Sequence, residues 1–224
     1  MKKRHAYILA IMITIALLML FLGRMCRGTS KYYERQPVAC LDSGSCARLQ
    51  NGDVILRHGF GFISNTIAKY AHDKYSVSHC GVLIQTADSS WYVIHTVSNS
   101  LAKIDGMQLV SLPKFLSESH ENSIIIQRYV SQDKTAGKKI ARSAWNYYQQ
   151  KIPFDDEFNF DDSTEFFCTE MIWHVFKNAL NVNLLKLEDE NDYSIMNFAM
   201  LFDTLHFTTI VNQFDEIKSS ELCK

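Results

Sequence analysis

The stretch that decides the fold is Phe166-Phe167-Cys168-Thr169-Glu170-Met171-Ile172-Trp173, which opens a strongly apolar helical pattern. Apolar residues follow Cys168 at positions i+3, i+4, i+7 and i+8, so this cysteine lies on the core-facing stripe of the helix. Asp162, Ser163 and Thr164 are candidate N-caps, which places Cys168 in the first or second helical turn. Free amides and the helix dipole stabilise a thiolate there. The pattern predicts a reactive thiol, and a buried structural cysteine is the alternative interpretation.

Two predicted strands earlier in the chain each carry a histidine within an apolar pattern. The strands span residues 78–84 and 91–97 and are joined by a predicted hairpin loop. A turn centred on Ala87 puts His79 directly opposite His95, with Cβ atoms about 5 Å apart. In that register the two imidazoles can form a hydrogen bond. The alternative interpretation of each histidine is a core residue bonded to a backbone carbonyl.

Neighbouring strand residues point to opposite faces, so Cys80 is expected to face away from His79. Gly81 lies on the His79 face and leaves room for another element, which we expect to be the Cys168 helix. A nucleophilic cysteine, a histidine base and a second histidine that fixes the tautomer of the base form a triad. Cys168, His79 and His95 are therefore the candidate catalytic residues.

A metal site is the competing use of the same side chains. The potential ligands are His72, His79, Cys80, His95 and Cys168. They show neither HExxH nor CxxC spacing, and His79 and Cys80 point to opposite faces, so we expect no metal and no other cofactor. The acidic run at 155–162 lacks the EF-hand spacing and is predicted to be a solvated loop near the mouth of the site.

The remaining pattern predicts an α+β fold, a small antiparallel sheet with the Cys168 helix packed against it. Further strands are expected at 53–57, 108–111, 123–130 and 207–211, and helical segments at 62–71, 113–117, 135–150, 168–180 and 195–202. The chain has 224 residues, of which 47% are hydrophobic, as is usual for a protein with a packed core. Its formal net charge is -1 without a basic stripe, so nucleic acid is not an expected partner.

The N-terminal residues form a predicted membrane anchor. Met1-Lys2-Lys3-Arg4 precedes an apolar run at residues 6–23, and Arg24 and Arg27 follow it. A run of about 18 apolar residues is long enough to span a bilayer as a helix. The basic cluster before the run favours a cytoplasmic N-terminus and an extracytoplasmic, periplasmic body. A cleaved signal peptide, which would make the protein periplasmic or secreted, is the alternative.

The predicted organisation has four parts, which are an anchor or signal segment at 1–27, a polar linker at 28–50, the catalytic domain at 51–215 and a tail at 216–224. Within the linker, Cys40 and Cys46 flank a short flexible turn. If the body is exported, we expect a disulfide between them, because disulfides persist outside the cytoplasm. Two free surface thiols are the alternative.

Six short stretches follow one another along the chain in a fixed order. They are Gly52-Asp53-Val54-Ile55, Tyr75-Ser76-Val77-Ser78-His79-Cys80-Gly81-Val82, Trp91-Tyr92-Val93-Ile94-His95, Ser111-Leu112-Pro113-Lys114-Phe115, Ile152-Pro153-Phe154-Asp155 and Phe167-Cys168-Thr169-Glu170. In this order and spacing they resemble the permuted NlpC/P60 papain-like enzymes of the YiiX/YaeF type. The resemblance covers the chain from about residue 50 to about residue 180.

This resemblance implies a circularly permuted papain-like core, in which the histidine precedes the cysteine, the reverse of the order in papain. It implies that Cys168 is the nucleophile, His79 the base and residue 95 the polar group that orients the base. Many YiiX-like sequences carry glutamate at this third position, whereas His95 stands here, as in ordinary NlpC/P60 enzymes. After residue 190 the chain departs from the family, because Ile195-Met196-Asn197-Phe198 stands where a serine-proline motif is expected.

Together these features predict a membrane-tethered cysteine hydrolase that cleaves an amide bond, for example in a cell-wall peptide, through an acyl-enzyme. A lipid acyltransferase or thioesterase of the same permuted fold is an alternative, favoured by the aromatic residues Phe154, Phe158 and Phe160. A non-catalytic, membrane-tethered binding module is a third. The expected partners are a peptide or lipid-linked acyl substrate and the membrane itself.

Overall fold

Six β-strands form one antiparallel sheet in the computed structural model of the protein, which describes residues 36–71, 73–158, 164–185 and 198–215. In chain order the strands are β1 (Val54–Arg57), β2 (His79–Gln85), β3 (Trp91–Val97), β4 (Gly106–Ser111), β5 (Ile125–Tyr129) and β6 (Phe207–Asn212). Their order across the sheet is β4-β3-β2-β1-β5-β6, and every neighbouring pair is antiparallel. The predicted antiparallel sheet is confirmed.

Helices lie before and between these strands within the described ranges. They are α1 (Ser43–Ala47), α2 (Phe62–Tyr70), α3 (Leu112–Ser117), α4 (Ala136–Gln150), α5 (Cys168–Leu180) and a short 3₁₀ helix (Ala199–Phe202). α3 begins where the Ser111 hydroxyl accepts a hydrogen bond from the Lys114 amide at 3.4 Å. α4 and α5 each end at a residue in the left-handed conformation, Lys151 and Asn181, both with φ of 55°.

The sheet separates two layers of core. Side chains on one face, among them Cys80 and Val82, pack against α4 and α5. Side chains on the other face, among them Leu83 and Val93, pack against α3, whose Phe115 is fully buried. Because successive strand residues alternate between faces, β2 contributes to both layers. The helix that carries Cys168 therefore packs on the Cys80 face, as the predicted α+β arrangement requires.

The register of the β2–β3 hairpin differs by two residues from the predicted register. Gln85 pairs with Trp91, so the hairpin is centred on residue 88 rather than on residue 87. Continuing this register places His95 opposite Gly81 instead of opposite His79. Since side chains repeat with a period of two, a shift of two residues keeps both histidines on one face of the sheet.

Residues 38–50, which the sequence indicates as part of a linker, are structured. Ala39 and Leu49 are buried in the core layer on the α3 face. Between them, α1 begins at Asp42, whose carboxylate accepts a hydrogen bond from the Ser45 amide at 2.9 Å. The cap explains why this glycine- and serine-rich stretch forms a helical turn.

Cys40 and Cys46 are both free thiols, the first exposed and the second half-buried. The structure therefore contradicts the expected disulfide between them. Cys46 is part of α1, and its Sγ lies 3.9 Å from the carbonyl oxygen of Leu41. The helix thus replaces the flexible turn on which the disulfide expectation depended.

Two glycines mark a tight contact between the loop before β1 and the first turn of α4. A Cβ atom on Gly52 would strike the carbonyl oxygen of Gly137, and a Cβ atom on Gly137 would strike the carbonyl oxygen of Asn51. Gly52 also has a φ of 85°, which L side chains rarely adopt. Main chain therefore touches main chain where the chain enters β1.

The predicted anchor at 1–27 and the predicted tail at 216–224 lie outside the described residues. The same holds for His72, Phe160 and residues 195–197. Of the helices that the structure describes, none combines the length and the apolar character that crossing a membrane requires.

Candidate active site

Cys168 is the first residue of α5, at the point where the chain leaves an extended segment. The preceding residue, Phe167, is the N-cap, and its amide donates a hydrogen bond to the Glu170 carboxylate at 3.2 Å. The predicted caps at 162–164 are therefore wrong, because the helix begins several residues later. This later start places Cys168 among the unpaired amides of the first turn.

The pKa of the Cys168 thiol lies below its ordinary value. The largest cause is a hydrogen bond from the Cys80 thiol; burial opposes the shift, and the main-chain amides of Cys80, Thr169 and Cys168 add to it. Donors of this kind stabilise a thiolate relative to a thiol. The position of Cys168 thus has the electrostatic character that a nucleophilic cysteine needs.

Cys80 is fully buried on β2, and its Sγ lies 3.4 Å from the carbonyl oxygen of Cys168. Burial raises the pKa of the Cys80 thiol well above its usual range, and hydrogen bonding to Cys168 raises it further. Cys80 therefore remains a protonated donor. Its contact with Cys168 is not predicted by the sequence, which indicates only that Cys80 faces away from His79.

His79 and His95 are hydrogen bonded to each other, with Nε2 of His79 2.9 Å from Nδ1 of His95. The bond runs diagonally across the hairpin, because the register offsets the two residues. It leaves Nδ1 of His79 as the ring nitrogen that can accept a proton from a thiol. His95, which is 2% exposed, is placed to fix the orientation of the His79 ring.

Gly81 lies where β3 leaves no room for a side chain on β2. A Cβ atom on Gly81 would lie 2.8 Å from the carbonyl oxygen of Ile94 and 3.1 Å from Cβ of His95. The space beside this glycine is therefore occupied by β3, and the expectation that the Cys168 helix fills it is wrong. Gly81 instead permits the close approach that brings His95 within hydrogen-bonding distance of His79.

The ring of Phe115 on α3 packs against His79 and His95 on their face of the sheet. Its centroid lies 6.0 Å from that of His79 and 5.5 Å from that of His95. Arg57, the cross-strand neighbour of His79, places its guanidinium 4.2 Å from the Phe115 centroid. Its Nη1 donates to the Phe115 carbonyl at 2.9 Å and to the Glu118 carboxylate at 3.3 Å. Arg57 thereby ties β1 to α3 beside the two imidazoles.

Both histidines are held in the neutral form. Burial, and after it the positive charge of Arg57, lowers the pKa of His95 to about 3. The pKa of His79 lies well below its ordinary value, chiefly because of burial, then because of Arg57 and His95. A neutral His79 is ready to accept a proton, and a neutral His95 orients it without carrying charge.

The structure brings Cys168 to β2 without a direct bond to an imidazole. Within the ranges that the structure describes, no hydrogen bond joins Cys168 to His79 or His95, and its bonds go to Cys80 and main-chain amides. Burial lowers the pKa of Arg57, while Glu118 and, to a smaller extent, the Cys168 thiolate oppose this shift. Catalytic contacts of this kind are often long before substrate binds.

The loop before α5 packs near the nucleophile. Asp155 is 3% exposed, and its carboxylate accepts hydrogen bonds from the amides of Glu157 and Phe158, both at 2.8 Å. The prediction of a solvated acidic loop is therefore wrong at Asp155. The Phe158 ring centroid lies 5.4 Å from that of Phe167, the residue before Cys168. An aromatic surface thus borders the nucleophile.

Replacing Cys80 with alanine is expected to raise the pKa of Cys168, because it removes the hydrogen bond that lowers this pKa most. The pH dependence of Cys168 alkylation by iodoacetamide measures this pKa, and we expect the midpoint of the variant to move upward. Cys46→Ala, which removes a thiol on α1, is the control and should leave the midpoint in place. An unchanged midpoint in Cys80→Ala would show that the Cys80 thiol does not act on the nucleophile.

Lowering the pH from 6.5 to 5 is expected to destabilise the fold through its neutral histidines. The pKa of His95 is lower in the folded protein than in the unfolded chain. Between these two pKa values the unfolded state binds more protons, so the free energy of unfolding decreases as the pH is lowered. The limiting slope is about 1.4 kcal/mol per pH unit for each such histidine. Urea unfolding at several pH values measures it, and His95→Asn should reduce the slope. Equal slopes would contradict the assignment.

Known proteins resemble this chain in sequence and in fold. The sequence profile of the permuted papain-like amidase enzymes of the YaeF/YiiX type, the C92 family, matches residues 48–211. The chain belongs to this family. The crystal structure of metalloprotein yiiX from Escherichia coli O157:H7 is similar, with a TM-score of 0.56 and 21% sequence identity over 73% of this chain and 97% of the other. None of the curated proteins compared with the chain matches it. The match to this family confirms the resemblance noted in the sequence, and with it the permuted papain-like fold.

The Escherichia coli protein is described as a metalloprotein. In the part of this chain that the structure describes, no group of three or more histidine, cysteine, aspartate or glutamate side chains is arranged to hold a metal ion. His79 and Cys80 lie on opposite faces of β2, which separates two of the potential ligands. The described residues therefore do not fit a metal centre at the site.

Proposed function

We propose that the protein is a cysteine hydrolase that cleaves an amide bond, with Cys168 as nucleophile, His79 as general base and His95 as the residue that orients His79. The single observation that carries this proposal is the hydrogen bond between His79 and His95 next to the strand residue, Cys80, that contacts Cys168. Membership of an amidase family supports the reaction class. No step of the proposed reaction passes through a metal.

In the proposed reaction, Nδ1 of His79 accepts the proton of the Cys168 thiol, and the thiolate attacks the carbonyl carbon of the amide. The amide of Cys168 donates a hydrogen bond to the developing oxyanion. His79 then protonates the leaving nitrogen, the carbon–nitrogen bond breaks, and an amine departs from a thioester. Water, deprotonated by His79, attacks the thioester, and the carbon–sulfur bond breaks to release a carboxylic acid. The His79 imidazolium then returns its proton to the Cys168 thiolate, which restores the starting state. The imidazolium of His79 is formed only within this cycle.

We propose further that the catalytic domain is tethered to a membrane and lies outside the cytoplasm, where a cell-wall peptide is a suitable substrate. The basis is the basic cluster before the apolar run at 6–23. A reporter fused after Lys224 tests the topology. Activity of a reporter that works only outside the cytoplasm is expected, and activity of a purely cytoplasmic reporter would contradict the proposal.

Lipid acyl transfer or thioester cleavage is a second candidate, and one observation favours it. The aromatic contacts from Phe154 to Phe158, at 6.3 Å, and from Phe158 to Phe167, at 5.4 Å, form an apolar border that ends beside Cys168. Phe158 is 43% exposed and can contact an acyl chain. In this reaction a lipid acceptor, rather than water, takes the acyl group from Cys168.

Activity-based labelling of Cys168, followed by a screen of peptide and lipid acyl donors, tests the proposed function. The wild-type chain should form an acyl-enzyme that mass spectrometry detects on Cys168, and Cys168→Ser should release no product. Peptide donors alone forming this species would favour the amidase, and lipid donors alone would favour acyl transfer. Labelling that does not depend on His79, with no acyl-enzyme from any donor, would favour a binding module.

A further inference from the structure

The helix α2 exposes its most apolar side chains. Phe62 is 84% exposed, Tyr70 62% and Ile63 42%, and no residue of this helix is buried. Ile67 is half-buried and supplies the contact of α2 with the core. A surface helix ordinarily turns its large apolar residues inward. The exposed apolar side chains on the outer face of α2 therefore indicate a surface that binds an apolar partner.

The exposed residues of α2 form one stripe rather than a scatter. Phe62 and Lys69, and likewise Ile63 and Tyr70, are seven residues apart, which is two turns of an α-helix. Lys69 Nζ lies 5.1 Å from the Tyr70 ring centroid, so the cation and the ring sit together at the end of the stripe. The stripe thus combines large apolar side chains, a tyrosine and a lysine.

The charge that α2 itself carries is positive. The sequence of α2 contains no aspartate or glutamate. The next acidic residue along the chain, Asp73, is half-buried, and its carboxylate accepts a hydrogen bond from the Phe198 amide at 2.9 Å. Lys69 is therefore the charged residue of α2. Lys74, beyond the helix, lies over the Tyr75 ring and near Asp215. Lysines beside aromatic and aliphatic side chains are typical of helices that lie in the headgroup region of anionic membranes.

α2 is also joined to the candidate active site. It follows β1 directly, and Arg57 at the end of β1 pairs with His79. In the short loop between β1 and α2, the Gly59 amide donates a hydrogen bond at 3.0 Å to the hydroxyl of Ser78, the residue before His79. The loop that leads into α2 is thus hydrogen bonded to the strand residue next to His79.

We propose that the outer face of α2 seats in the headgroup region of an anionic bilayer and holds the active site at the membrane surface. On the basis of the proposed function, the substrate of Cys168 is then an amide or ester whose acyl part resides in the membrane, a lipid-linked molecule. Phe62, Ile63 and Tyr70 enter the boundary of the acyl chains, and Lys69 contacts the anionic headgroups.

Tryptophan quenching tests the location of α2. The full-length chain is reconstituted into vesicles of phosphatidylcholine and phosphatidylglycerol with brominated acyl chains, as Phe62→Trp or, as a matched control, Leu205→Trp. Leu205 is 75% exposed and precedes β6 at the end of the sheet away from Arg57. Brominated lipid should quench the emission added by Phe62→Trp and spare that added by Leu205→Trp, and phosphatidylcholine alone should weaken the quenching.

The outcomes of this measurement separate the possible occupants of α2. Equal quenching at both positions, or none at position 62, would overturn the proposal. An emission shift of Phe62→Trp that depends on protein concentration in detergent, without quenching in vesicles, would show that a second copy of the chain covers α2 instead.

Chemical labelling tests the route to Cys168 without a known substrate. N-hexadecyl iodoacetamide in the vesicles and iodoacetamide in the water should both alkylate Cys168. The double variant Phe62→Ser, Tyr70→Ser should lower labelling from the bilayer by about tenfold and leave labelling from the water unchanged. Equal labelling of variant and wild type from the bilayer would refute the membrane route. Equal labelling of wild type and His79→Ala by iodoacetamide from the water would refute the proposed function and leave the membrane route standing.

Discussion

Replacing His79 with alanine is expected to slow turnover by about 10²–10⁴-fold, because the variant lacks the group that accepts the Cys168 proton and later protonates the leaving group. The same change should slow alkylation of Cys168 near neutral pH, which can be measured with iodoacetamide and needs no substrate. Replacing His95 should slow both reactions less, because its bond at 2.9 Å only orients the His79 ring.

His206→Ala is the matched control for this experiment. His206 is also a histidine with a hydrogen bond to a neighbour, Asp203 at 2.9 Å, but it precedes β6 away from the candidate site. Its replacement should leave alkylation unchanged. Cys168 is also expected to react faster than Cys80, whose buried thiol stays protonated. If Cys80 reacts first, or if His79→Ala alkylates Cys168 at the wild-type rate, the assigned triad is wrong.

Replacing Asp53 with alanine is expected to destabilise the fold by about 2–4 kcal/mol, because Arg128, whose side chain is 24% exposed, loses its carboxylate partner and keeps its bond to the Arg48 carbonyl. Asp53 is 1% exposed at the entry to β1, and its carboxylate receives Nε of Arg128 at 2.7 Å, Nη2 of Arg128 at 2.8 Å and the amide of Gln50 at 2.8 Å. Two parallel bonds from one guanidinium make the pair geometrically specific. The midpoint and slope of urea unfolding measure the loss.

Lys139→Ala is the control for the Asp53 variant. It removes an ion pair of similar length, 2.9 Å to Asp133, in which both side chains are about half exposed. Water screens such a pair, so its loss should cost about 0–1 kcal/mol. A similar cost for both variants would mean that the buried pair contributes no more than an exposed one.

The strands and the nucleophile helix could be predicted from the sequence because their signals are local. β3 spans Trp91–Val97 and α5 spans Cys168–Leu180, as the apolar periodicity indicates. The hairpin register could not be predicted, because the β2–β3 loop adopts a turn in which Ser89 has a left-handed backbone, with φ of 66°. The loop is therefore centred on residue 88 instead of residue 87. As a result, each residue of β2 pairs with a residue of β3 two positions later than predicted.

The predicted start of α5 is wrong because capping residues are a generic signal that tertiary contacts override. The Phe166 amide donates to the Pro153 carbonyl at 3.0 Å, and the Phe166 ring stacks on His174 with a centroid distance of 4.5 Å. These contacts hold the chain extended up to Phe167, so the helix cannot begin at the polar residues before it. No local pattern contains this information.

The role of Arg57 could not be predicted for a related reason. A charged residue at the end of an apolar strand is usually solvated, whereas here its guanidinium is enclosed by Phe115 and Glu118. These partners lie far from Arg57 in the chain, and only the folded structure brings them together. The same is true of Cys80, whose contact with Cys168 requires α5 to pack on a particular face of β2.

Gly52 and Gly137 restrict the sequence space open to this chain. A side chain at either position would strike main chain of the other segment, so no change of a neighbouring side chain can compensate. At most core positions, a second substitution in a neighbouring side chain can compensate for the first. At these two positions it cannot, because the clash is with main-chain atoms. A combinatorial library that randomises both positions and is selected for folding should return glycine at both. Any diversification of this domain must therefore leave the junction between the entry to β1 and α4 unaltered.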